Sequence, residues 1–256
     1  MSSWGGEFHF AELAPGEYLI SVDKPGCEPL WEKVQVPLTS NRVTLRLKRR
    51  NGPDEYPVSV RELSIPPRAQ LALRDGISLL KSDLPRAMAS LQRAIALFPD
   101  YYEAYHVVGM ANLMMDRPAD AEQAFRQSID LSKRSFARPL MALGAVLCDQ
   151  ERFGEAESVI REGLELDDTP WIGHLLLARA LFGLNRWNEA EKNVNAALLR
   201  RPDVSDAYLL LAHIHARQQN AAAAAEDLDE FLKLEPDGAI SDQARRVREQ
   251  MTFARE

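Results

Sequence analysis

Five alanines stand in register along this chain, Ala87, Ala121, Ala156, Ala190 and Ala224, at spacings of 34, 35, 34 and 34 residues. One periodic alanine would constrain little, but the neighbours repeat with it. Four residues after each stands a bulky apolar side chain: Leu91, Phe125, Ile160, Val194 and Leu228. Twelve residues before it, in the last four units, comes a small residue: Gly109, Gly144, Ala178 and Ala212. The residue just ahead of that is apolar: Val108, Leu143, Leu177 and Leu211. A period of this length describes a solenoid, in which each unit buries its apolar face only by stacking on the next.

The offsets describe helix pairs. Small residues sit where two helix axes approach closely, and large ones fill the space beside them. A leucine in place of Ala190 is expected to overpack such a contact, at a cost of roughly 1–3 kcal/mol. Boundary signals agree. Pro85 and Pro118 fall in the first turn of second helices, where a missing N–H costs nothing. Pro99-Asp100, Pro202-Asp203 and Pro236-Asp237 mark turns between units. Gly76 stands eleven residues before Ala87 instead of twelve, which predicts a shorter inter-helix turn in the first unit. Residues 240–254 form one more helix, with Arg245, Arg246, Arg248 and Glu249 as the polar outer face that a terminal element needs. The alanine run at 221–225 reads as tight helix packing.

This pattern resembles the tetratricopeptide repeat family over residues 67–256. The resemblance implies a mainly all-α fold, a right-handed α-α superhelix of five hairpins with a capping helix. Tyr105 and Tyr208 hold the family's large aromatic position in the first helix, whereas Leu140 and His174 depart from it. Unit three ends at Asp168 without a closing proline.

Between residues 7 and 49 the apolar period changes from helical to two. Phe8 and Phe10 alternate with polar residues, as do Tyr18, Ile20 and Val22, then Val34 and Val36, then Val43, Leu45 and Leu47. Pro15-Gly16, Pro25-Gly26 and Ser40-Asn41 separate these runs. Four half-buried antiparallel strands follow. The string from Gly6 to Tyr18, with Lys24-Pro25-Gly26, resembles the carboxypeptidase regulatory-like domains, which are transthyretin-like β-sandwiches of extracellular and envelope proteins. Cys27 replaces that family's usual aromatic, and the family has further strands upstream, so the segment reads as an incomplete small sandwich. Either the sequence starts late, or the piece packs on the solenoid or on a partner. The expected organisation is a β segment at 1–50, a stiff proline-bracketed linker at 51–66, and the solenoid from 67 to 256.

Composition narrows the function. A net charge of −7 argues against binding nucleic acid through its phosphates. No apolar run reaches the length of a membrane span, and the first six residues are not a signal peptide. The location is cytoplasmic as the sequence stands, and periplasmic or envelope-associated if a leader precedes it. Cys27 and Cys148 have no metal-ligand spacing, and no phosphate-binding loop or His-Glu-x-x-His is present. His213 and His215 point about 200° apart on a helix, which spoils joint ligation. Cys148 on an apolar helix reads as a small buried hydrophobe. Glu165, Asp167 and Asp168 fall at a unit boundary and read as solvated turn residues. No catalytic residue, metal ligand or cofactor site is expected, and the chain reads as a non-catalytic scaffold for a protein or peptide partner.

The family resemblance implies that first helices line a concave groove. Carried over position by position, the groove residues are His106, Val107, Met110, Leu113 and Met114 in unit two, and Arg138, Met141, Ala145 and Cys148 in unit three. Unit four supplies Leu175, Leu176, Arg179 and Phe182, and unit five Leu209, Leu210, His213 and Arg217. Methionines suit an adaptable apolar surface, and Arg179 and Arg217 suit a carboxylate. The Lys/Asn carboxylate clamp of the chaperone-tail-binding members is missing at His106, Met110 and Met141. The alternative is an envelope assembly component that docks through the β segment.

Overall fold

The computed structural model describes residues 16–22, 30–36, 47–48, 55–56 and 64–253. Two short antiparallel ladders come first. Strand β1 (Gly16–Val22) pairs with β2 (Leu30–Val36), with Gly16 opposite Val36 and Val22 opposite Leu30. The exposed pair Lys33–Glu17, 2.7 Å apart, lies across that ladder. Strand β3 (Leu47–Lys48) pairs with β4 (Glu55–Tyr56), so a strand stands within the segment read as linker. Phe8, Phe10, Cys27, Val43 and Leu45, and with them the closure of a sandwich, lie outside the described residues.

Eleven helices follow among the described residues, and ten form five hairpins. They are α1 (Pro67–Leu79) with α2 (Leu84–Leu97), and α3 (Tyr102–Met114) with α4 (Pro118–Leu131). Next come α5 (Ala137–Asp149) with α6 (Phe153–Leu166), and α7 (Trp171–Gly183) with α8 (Trp187–Arg200). The last pair, α9 (Ser205–Arg217) and α10 (Ala221–Leu234), is capped by α11 (Ala239–Phe253).

The five repeat alanines are fully buried. The bulky residue four later closes the unit from inside: a Cβ on Gly109 would lie 2.4 Å from the Phe125 ring, and one on Gly144 would lie 2.2 Å from Ile160 Cγ1. Glycine is therefore needed at both positions for close approach rather than for backbone freedom. Each such plug, removed from water, contributes about 1.5–3 kcal/mol. The main core runs unbroken from Ala121 to Ile214, flanked by one cluster under α1 and another between α10 and α11.

Turns inside the last four hairpins share one construction that lacks its usual glycine. Asp116, Glu151, Asn185 and Gln219 hold φ between 57° and 61°. The next amide reaches back to close the helix, as Arg152 N does to Leu147 O and Arg186 N to Leu181 O, both at 2.9 Å. The first hairpin differs, though not by a shorter turn. Helix α1 stops three residues after Gly76, whereas α3 runs five past Gly109. The residue count falls because the helix ends sooner, and Asp83 then caps α2 by accepting from Arg86 N at 3.0 Å.

Candidate functional site

Successive first helices touch one another, α3 with α5, α5 with α7 and α7 with α9, while each second helix packs on its own partner and the next unit's first helix. The first helices therefore form the inner row of the stack. Their solvent-facing positions carry Met110 and Met114, 40% and 48% exposed, continued by Ile77 of α1 at 49%. Arg138, Arg179, His213 and Arg217 are exposed on α5, α7 and α9.

Arg179 Nη2 meets Asp149 Oδ1 at 2.7 Å, which ties α7 to α5. Among the described residues Arg138 and Arg217 form no ion pair. Phe182 is half-buried and stacks on His213, with ring centroids 6.4 Å apart at 29°. Partial burial of its ring against Phe182 lowers the His213 imidazole below its usual range, and Arg217 adds to the effect. His213 is thus neutral near pH 7. Leu113, Leu176 and Leu210 are half-buried against the main core, and Leu209 against the cluster under α11.

Three carried-over residues belong to the interior instead. Met141 (7% exposed) reaches between units, its methyl within 3.0 Å of where a Cβ on Gly163 or Gly173 would stand. Leu175 is 9% exposed and packs in the same core. Cys148 is 2% exposed with Sγ 3.9 Å from Leu176 O, and burial pushes its thiol up to about 11. One-dimensional register placed these residues on the inner face, but the close approach of neighbouring first helices covers them.

His106 is half-buried and wedged between Phe125 and Phe136, at 5.7 and 5.6 Å between ring centroids. Its Nδ1 is buried without a hydrogen-bond partner among the described residues. Burial, aided by Arg138, pushes its pKa down to about 4, so it is a neutral packing residue.

His215, read from sequence as an ordinary helix residue, spans two units. Its Nδ1 meets Asp227 Oδ2 at 2.5 Å, and its Nε2 lies 3.7 Å from Glu191. Sequence reasoning also missed a ladder of charges on the second helices. Arg152 pairs with Glu155 and Glu122, and Arg186 with Glu189 and Glu157. The signal was available: arginine precedes the repeat alanine by four residues at 117, 152 and 186, and glutamate follows it directly at 122, 157 and 191. The acidic residues at 165, 167 and 168 are exposed, Asp167 accepting from Thr169 N at 3.1 Å. No helix among the described residues is long and apolar enough to cross a membrane.

Comparison with known proteins agrees with this geometry. The family model for the tetratricopeptide repeat matches residues 81–136 and 175–239. The chain is 27% identical over 136 residues to the protein O-mannosyl-transferase TMTC1 of Homo sapiens, a match spanning 51% of this chain and 15% of that enzyme. Among solved structures it is similar to YrrB, a repeat protein with an unusual peptide-binding site, at TM-score 0.58 and 21% identity, covering 70% of this chain and 92% of YrrB. PilW, a type IV pilus biogenesis factor, superposes at TM-score 0.65 and 17% identity, covering 74% of this chain and 90% of PilW. MamA from Desulfovibrio magneticus RS-1 gives 0.60 at 18% identity, over 68% and 98% of the two chains. Residues 67–253 thus form a solenoid like that of tetratricopeptide-repeat proteins, with the repeat itself matched at 81–136 and 175–239.

Proposed function

We propose that this tetratricopeptide-repeat chain is a protein-interaction scaffold whose inner face, built by α3, α5, α7 and α9, binds an extended or helical segment of a partner. One observation carries the reading: Met110 and Met114, one helical turn apart on α3, are both exposed on that inner row, whereas Met141 and Leu175 on the neighbouring first helices are buried. Exposed apolar side chains gathered on one face mark an interaction surface, and thioethers adapt to varied contacts. The peptide-binding site described for YrrB, on the same fold, is consistent with it.

The test is site-specific photo-crosslinking in the full chain. A crosslinking amino acid replaces either Met114, on the inner face, or Asn195, exposed on α8. A partner trapped from position 114 and not from 195 supports the reading, and the reverse overturns it.

A second reading rests on the β1–β2 ladder, seven paired residues standing outside the repeats. It takes residues 1–50 as the carboxypeptidase regulatory-like segment that their motif resembles, and the chain as an envelope assembly component docked through it. In that case a proline at Ile20, in the middle of β1, disrupts the ladder and abolishes partner capture, while substitutions at Met114 leave it intact.

A further inference from the structure

Three arginines cross the inner face on a diagonal. Arg138 is the second residue of α5, Arg179 the ninth of α7 and Arg217 the last of α9. With a helical rise of about 1.5 Å per residue and neighbouring axes roughly 8–10 Å apart, the steps along this line are about 14 Å and 11 Å. An extended chain advances about 3.3 Å per residue, so the guanidiniums fall opposite side chains roughly four and three residues apart, the three-residue step requiring a local twist of the peptide because strand side chains alternate faces.

The carboxylates near these arginines leave the line cationic: Asp167, which feels the charge of Arg138, is bonded to Thr169 and offsets only part of it. Asp149 is bound to Arg179 and holds it in place. Asp206 is the second residue of α9, eleven residues from Arg217 at the other end of that helix. That is about 16 Å of rise, beyond a Debye length of about 8 Å at physiological salt. Glu103 already has an interaction of its own. Beside the charged diagonal, Met110 and Met114 form the apolar end of the same face.

We infer that the segment bound here is an acidic peptide in extended form, carrying carboxylates three or four residues apart beside an aliphatic anchor that rests on Met110 and Met114. The inference rests on the peptide-binding reading above and adds the partner's charge and spacing. Arg138 and Arg217 are the primary contacts, because neither is held in an ion pair among the described residues, and the Asp167 carboxylate near Arg138 is bonded to Thr169 instead. Arg179 joins by exchanging Asp149 for the ligand, and forked guanidinium–carboxylate pairing favours this over a point charge.

A random twelve-residue peptide library, selected on the full-length chain, tests the inference directly. Selected peptides are then measured by fluorescence anisotropy against the variants Met110→Glu and Arg138→Gln/Arg217→Gln, each checked for folding by circular dichroism. The expected result is enrichment of Asp and Glu at spacings of three and four, with binding lost in Met110→Glu and weakened roughly tenfold or more in the double variant, in line with charge-assisted hydrogen bonds. Raising the salt should weaken binding to the wild type and have little effect on the double variant. Neutral or basic peptides that lose binding in Met110→Glu but not in the arginine variant would overturn the acidic assignment and leave the groove reading standing. Peptides indifferent to both variants, or no enrichment at all, would overturn both.

Discussion

Arg186, on the turn into α8, donates from Nη1 to both carboxylate oxygens of Glu157 at 2.7 Å, joining the second helices of adjacent units. The same rung occurs one unit earlier between Arg152 and Glu122 at 2.8 Å, with Arg126 and Arg161 closing each rung from within the helix. A network of shared carboxylates holds its geometry better than isolated surface pairs do.

Removing one rung should lower stability and its dependence on salt together. Glu157→Gln is expected to melt below wild type at low ionic strength, with the gap narrowing as salt rises. Calorimetry at two salt concentrations checks this.

The ladder lacks a rung where the register demands one. Arg117 occupies the position of Arg152 and Arg186, but the residue after Ala87 is Met88, not glutamate. Met88→Glu should add the missing pair and raise the melting temperature at low salt, an increase that Arg117→Gln in the same chain cancels.

Two glycines separate packing from propensity. Gly144→Ala drives a Cβ into Ile160 and should cost about 1–3 kcal/mol despite alanine's better helix propensity. Around Gly154 there is nothing within 4 Å of a new Cβ, so Gly154→Ala should stabilise by about 0.5 kcal/mol. Urea midpoints for the pair give opposite signs.

His106 makes stability fall with acid before the carboxylates titrate. Its folded pKa is depressed from 6.5 to about 4, so its contribution is complete above pH 6.5 and is lost as pH falls toward 4. The full loss is on the order of 2–3 kcal/mol. His213 shifts in the same direction. Glu122 acts lower: burial raises its carboxyl, but hydrogen bonds from Arg126 and Arg152 outweigh this and hold it below 4.5. Its contribution is present above pH 4.5 and lost below it. Melting temperatures from pH 7 to 5 should therefore slope downward in the wild type and less steeply in His106→Phe, where His213 alone retains the effect.

Strained turns offer a gain. Glu151 sits at φ 59° without being glycine. Glu151→Gly should relieve a left-handed cost of about 1 kcal/mol, partly offset by glycine's greater chain entropy, and raise the urea midpoint slightly.

Much of the fold was legible because the repeat fixes it locally. Ala121 and Phe125 are four apart on one helix and meet Gly109 across a single turn, so their spacing alone implies the hairpin. The start of α1 at Pro67 and the prolines opening α2 and α4 were legible for the same reason. The candidate site was legible only in part. Met110, Met114, Arg138, Arg179 and Arg217 reach solvent from positions 18, 11 or 7 residues before their repeat alanines. Met141 and Leu175, 15 before, and Cys148, 8 before, lie on the same helices but turn into the core.

The sequence by itself determined the units, their number and their small-against-large packing, since these depend on residues within one period. Tertiary structure decided what depends on two units at once. How closely α5 approaches α7 settles whether Met141 faces a partner or the core, and Arg186 finds Glu157 only when unit four stacks on unit three. Such contacts join residues about thirty apart across a rigid-body step, and helix period carries no information about the size of that step.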